Sequence, residues 1–346
     1  MVAEVVILVY NYYTFNYIRT FMAKMKKLFC LLTVAMMAVT ACFGLCACMG
    51  YRTVAEYEDA DKYLAGPQTY DVADLDELYI DWPAGQVVLV EDPNATSVMV
   101  AEENNLSEKK KVHSYLKDGV LNVKFWQSGL RSVAKETDKV LTITYRSVRN
   151  LSVQSSSATV RAATLDVERV TFEMTSGDVE IGNVTCNTIV CEMTSGDMDF
   201  KEIVCDKFTC KMTSGELNVK QIAAESSVEF SMSSGEAKFS EILAKNTSVA
   251  QTSGNITISA ADVEAFSSRS TSGSLNASFT HADKIDVVLT SGDAEIGIPA
   301  SGATVAVAGG KPKSDLAYSV KSGKYIFGDG SCEVAIEMTS GSVRIK

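Results

Sequence analysis

The chain has 346 residues, 46% hydrophobic and 22% charged, which is the composition of an ordered globular protein with room for a sizeable core. Its formal charge of -11 argues against nucleic acid as a partner, because phosphate binding needs clustered Lys and Arg. Two histidines, His113 and His281, leave little material for imidazole catalysis or a histidine metal site.

In chain order, residues 1–24 do not resemble a targeting signal, and a start at Met25 accounts for them as a spurious N-terminal extension. Residues 25–48 open on Met25-Lys26-Lys27 and then run apolar, which is the layout of a secretory signal peptide. The tetrads ending at Cys42 and Cys48 resemble the lipobox of bacterial lipoproteins, with Cys48 preferred as the lipidated residue and Cys42 as the alternative. That resemblance implies a diacylglyceryl anchor, and two acyl chains hold stably where one binds marginally. The competing reading is an uncleaved transmembrane helix, since the apolar run is long enough to span a bilayer. Residues 49–67 then read as a linker.

Residues 68–150 carry irregular strands and read as an N-terminal β cap, with Trp82 and Trp126 as cap core and a sugar-stacking platform as the remote alternative. The run Lys109-Lys110-Lys111 within it reads as a solvated loop.

From 151 to 300 the sequence repeats. The phrase Met-Thr-Ser-Gly-acid stands at Gly177, Gly196 and Gly215, and its motif glycine returns at Gly235, Gly254, Gly273 and Gly292, at intervals of nineteen with a single twenty; Ala158 is a degenerate earlier copy. Three residues before the glycines stand Met174, Met193, Met212, Met232, Gln251, Ser270 and Leu289, and two after them Val179, Met198, Leu217, Ala237, Ile256, Leu275 and Ala294, both columns mostly apolar. Polar residues alternate with these on both flanks, so two strands meet at a tight corner. Further apolar positions at Val184, Ile203 and Ile222, and at Ile189 and Phe208, complete one rung of a single-chain parallel β-solenoid. The fold class expected is therefore all-β, a β-helix of ~19-residue rungs with irregular β caps at both ends. An inserted residue is expected to break the register of every stacked column. At the corner glycine supplies positive φ, and the neighbouring Thr and Ser are expected to ladder their hydroxyls. Residues 301–346 read as the C-terminal β cap.

Five cysteines follow the signal, and Cys186 to Cys205 and Cys191 to Cys210 are each separated by one repeat. They read as small hydrophobes stacked in columns, with disulfides across the turns left open. No zinc site is expected, because no CxxC pair occurs among them.

The segment YEDADKYLAG, the DWPAGQVVLVE strand, the TSGD rungs and the terminal GKYIFGDG with VAIEMTSGSVRI together resemble the DUF4097 family, over roughly residues 57–346. This resemblance implies a β-solenoid of Gram-positive lipoproteins and membrane proteins, proposed as adhesins or connected to envelope stress, with no established catalytic residues. No carboxy-terminal membrane helix is evident, so attachment would rest on the lipid.

The functional expectation is a non-enzymatic, extracytoplasmic, membrane-anchored lipoprotein without a cofactor, meeting an unknown protein or glycan ligand at the cell surface. Two alternatives use the acids Glu173, Asp178, Glu180, Glu192, Asp197 and Asp199, which the repeat projects outward from adjacent rungs. One is a carbohydrate-active β-helix enzyme, which needs two carboxylates at a defined separation with one pKa raised. The other is a weak calcium site. A nucleophilic role for the repeated serine lacks a histidine or lysine partner.

Overall fold

The computed structural model describes residues 51–103, 106–133 and 138–346. The segment expected to be a signal peptide, with Cys42 and Cys48, lies outside the described residues. The chain forms two units. In the smaller, Tyr51–Thr53 pairs antiparallel with Arg131–Val133.

The larger unit is the parallel solenoid. Inward and outward residues alternate along each strand, so each rung presents its apolar side to the interior and pairs with its equivalent on both neighbours. Asp197–Met212 lies in register on Glu216–Met232, which lies on Glu236–Gln251, then Asn255–Ser270 and Ser274–Leu289. The core is built from columns such as Phe172, Cys191, Cys210, Phe230 and Val249, all buried. Full burial of one such apolar side chain contributes roughly 1.5–3 kcal/mol. Edge-to-face packing of Phe230 on Phe239, and of Phe266 on Phe279, adds orientation to that burial.

The stack continues past both ends of the sequence repeat. Ala84–Glu91 pairs in parallel with Ser157–Asp166, which sets Gly85 beneath Ala158, and Asp293–Gly297 pairs with Ser342–Ile345, which brings Gly341 over Gly292. The corner column thus runs from Gly85 to Gly341, ten levels and nine gaps, or about 43 Å. Ala158 fills its place in that column without positive φ.

The single interval of twenty is absorbed rather than propagated. The register shifts between Ala224 and Ser227, where Glu225 and Ser226 together replace one residue of the adjoining rungs, and the columns of the next two rungs resume in step; a further local shift sets Ala261 opposite Phe279, after which Asp262 to Ser270 pair in step again. The bulge falls at a corner, where the ladder is already interrupted, so it costs no inward residue its place. The expected loss of register is corrected accordingly.

At the amino-terminal end Val120–Lys124 and Val140–Tyr145 add one more parallel level, and antiparallel strands then cover the open edge. Under them Lys139 is wholly buried. It pairs with the Glu102 carboxylate at 2.5 Å, donates to the carbonyls of Lys110 and Phe125, and lies over the rings of Trp82 and Phe125. Trp82 and Trp126 are both fully enclosed, so neither offers a sugar platform. At the other end Gly302–Ala308 pairs in parallel with Cys332–Met338 and antiparallel with Lys324–Gly328. Among the described residues no helix is long and apolar enough to cross a membrane.

Candidate functional site

The repeat builds a groove beside its own corners. In the rungs of Met174, Met193 and Met212 the residue before the methionine points outward, the methionine points inward, and the chain then turns so that the threonine stands outside again. Gln154, Glu173, Glu192 and Lys211 consequently form one outward column, with Asp81 paired to Gln154 one level earlier. Thr175, Thr194 and Thr213 form the opposite wall, and Met174, Met193 and Met212 the floor. This stretch encloses about 600 Å³. A second hollow of about 470 Å³ shares Met212 and carries the groove on past Met232, Gln251 and Ser270 to Thr290. Its charge changes along the axis, from Asp81, Glu173 and Glu192 at one end to Lys211 and Arg269 farther on.

The walls are held by ties between neighbouring rungs. The Tyr79 hydroxyl donates to Gln154 Oε1, Gln154 Nε2 donates to Glu173 Oε2 at 2.8 Å, and Lys211 Nζ donates to Glu192 Oε1 at 3.0 Å. Burial, helped by Asp81 and Glu173, pushes the Tyr79 hydroxyl up to about 12, so it stays a donor. Lys124 closes the end of the column on Asp81 at 3.3 Å.

The corner divides the six acids singled out in the sequence. Glu173 and Glu192 lie before it in the groove wall, whereas Asp178, Glu180, Asp197 and Asp199 lie after it. Glu180 takes two hydrogen bonds from the Arg161 guanidinium at 2.7 and 2.8 Å, which hold its carboxyl below the usual range. Asp178 accepts the amide of Asp197 at 3.4 Å, and Asp197 that of Glu216 at 3.1 Å, so these two carboxylates serve the ladder itself. Asp199 stacks between Glu180 and Asn218. Among the described residues no group of three or more His, Cys, Asp or Glu is placed to hold a metal ion.

The repeated serine also serves the ladder. Ser176 Oγ donates to the Ser156 carbonyl at 2.7 Å, and Ser195, Ser214 and Ser234 donate to the threonine carbonyl of the rung before. The hydroxyls therefore cap backbone oxygens instead of forming the expected hydroxyl-to-hydroxyl row. Amides complete the corner, with Thr194 N on Met174 O and Ser195 N on Thr175 O.

Sequence reasoning missed Asp81, Tyr79 and Arg161. Arg161 lies one period before Glu180 and Gln154 one period before Glu173, so column counting finds both. Asp81 reaches its column only after an excursion of more than seventy residues, which no period reveals.

No curated protein matches the chain. Among solved structures it is similar to a proposed lipid-binding protein of Parabacteroides distasonis, at 17% identity and TM-score 0.41, covering 81% of this chain and 97% of that one. It is also similar to a proposed adhesin of Parabacteroides merdae, at 13% identity and TM-score 0.37, covering 85% of this chain and all of the other. The Toastrack DUF4097 profile matches residues 87–241 and 225–346, which together span 87–346 and take in every TSG corner. The chain belongs to the toastrack DUF4097 family.

Proposed function

We propose that this protein is a non-enzymatic binding module of the bacterial cell envelope, anchored outside the cytoplasm through lipid on Cys48 or Cys42, and that it holds its partner along the groove beside the Met-Thr-Ser-Gly corners. The observation that carries this reading is the groove itself: two adjoining hollows that meet at Met212, built from equivalent positions of successive rungs, with a charge that changes along the axis. Its backbone amides and serine hydroxyls are already engaged between rungs, so the groove meets a ligand with little to reorganise. Repeat proteins commonly bind through such extended faces. The positive segment, apolar run and cysteine tetrads of residues 25–48 support export and anchoring.

The test is capture from envelope extracts by the full chain. Recovery of a specific envelope protein or surface glycan is the expected result, and its identity separates adhesion from envelope signalling. Release of sugar from cell-wall polymer by the purified chain would replace this reading with the enzymatic one.

A further inference from the structure

Cys186 and Cys205 occupy equivalent places on adjoining rungs. Thr185 pairs with Val204, and the Cys186 amide donates to the Val204 carbonyl at 3.0 Å, so the two cysteines stand one inter-strand step apart. That step is about 4.8 Å. It lies inside the Cα separation of about 4.4–6.8 Å that a disulfide spans. Both thiols are free.

A second pair, Cys191 and Cys210, is also in register, but its thiols face each other wholly inside the core. Cys186 and Cys205 instead help floor an open groove of about 590 Å³ on another face of the solenoid. Ala224 and Ala244 continue the floor along the axis, and the exposed side chains of Val204 and Leu243 line it with apolar surface. A pair of adjacent thiols thus lies at the bottom of a hollow that admits a small molecule with an apolar body.

We propose that Cys186 and Cys205 form a thiol–disulfide exchange site, at which a small disulfide with an apolar body is reduced while the two cysteines join across the rungs. In the first step the thiolate of one cysteine attacks a sulfur of the reagent. A mixed disulfide forms, the reagent's own S–S bond breaks, and its free half leaves as a thiolate that takes up the proton the cysteine released. In the second step the neighbouring cysteine, having lost its proton, attacks its partner's sulfur; the Cys186–Cys205 bond forms and the other half of the reagent leaves as a thiol. Two protein thiols are oxidised and one disulfide is reduced to two thiols, so no further oxidant is required. Burial pushes both thiols up to about 12, which makes attack slow unless the reagent is held beside the pair.

The experiment treats the folded full chain with 4,4′-dithiodipyridine, blocks the remaining thiols, and maps unreduced tryptic fragments by mass. Cleavage after Arg169, Lys201, Lys207 and Lys211 puts Cys186 and Cys191 in 170–201, Cys205 in 202–207 and Cys210 in 208–211. The expected first product joins 170–201 to 202–207, two hydrogens lighter than the separate thiol fragments. In C205S the pyridylthio group is expected to remain on Cys186, and in C186S on Cys205, because the resolving thiol is gone. Linkage of 170–201 to 208–211 as the first product overturns the proposal, as does recovery of 202–207 unlinked from the wild-type chain after treatment. Fragmentation of the linked wild-type species, which is expected to place the bridge on Cys186 and overturns the proposal if it places it on Cys191, decides the question even where a serine variant fails to fold.

Discussion

Gly254→Ala places one methyl group against the register of the whole stack. Gly254 has φ of +133°, and a Cβ built there meets the Gly235 carbonyl oxygen at 2.5 Å and its nitrogen at 3.0 Å. Holding a side chain in so sparsely populated a backbone region costs on the order of 1–3 kcal/mol. The obstacle is backbone and cannot swing aside, so relieving the clash pries the rungs apart where Thr252, Ser253 and Asn255 donate to Met232, Ser233 and Gly235 at 3.1, 2.7 and 3.0 Å. Weakening these adds about 0.5–1.5 kcal/mol for each bond lost. The expected total is a loss of about 3–5 kcal/mol, read as a lower urea midpoint at unchanged slope. At an unstrained site the same substitution stabilises by about 0.4–1 kcal/mol through the unfolded chain. A neutral or stabilising result would refute the account of the corner, because the sign itself separates a stacked turn from an ordinary loop glycine.

Other expectations follow from single features. Ser268 is buried with an unpartnered hydroxyl between Val249 and Val287, so Ser268→Val is expected to stabilise by about 1–3 kcal/mol in urea denaturation, by removing an unmet polar group. Glu102→Gln strands the buried Lys139 charge and is expected to cost about 3–5 kcal/mol, whereas Glu102→Gln with Lys139→Met recovers most of it; equal losses in both chains would mean that the pair is not the reason. The Asp74 carboxyl, held by Arg146 and Ser147, is lowered from 3.8 to about 2. Its stabilising contribution is therefore complete above pH 3.8 and lost as pH falls through about 2. Carboxyl NMR titration should find that low midpoint, and Arg146→Gln should return it toward 3.8.

How much of this was legible depends on whether a feature repeats. The corner glycines are written seven times over in near-identical spacing, and the inward methionines hold four of the seven places before them, so the sequence determines the parallel columns redundantly. The levels at Gly85 and Gly341 were harder to see, because long excursions separate each from its neighbour in space. Within the repeat, the polar residues Thr247, Gln251, Ser268 and Ser270 occupy inward positions where the pattern calls for apolar ones. Gln251 is accommodated because its amide donates to Ser270 Oγ and the Ser274 carbonyl, a local rescue that no hydropathy pattern contains. The groove was legible only in parts. Glu173 and Glu192 drew attention as acids, yet their surroundings are set by Gln154 and Lys211, one period away on either side.

The groove's role is tested most directly by reversing its acidic wall and measuring capture of an envelope partner. Glu173→Lys with Glu192→Lys changes two members of that wall, and Glu202→Lys with Glu241→Lys, on an outward column away from it, serves as the control of equal charge change. The account predicts that the groove variant loses the partner held by the wild-type chain while the control keeps it. Retention by the groove variant, or equal loss by both, would contradict it.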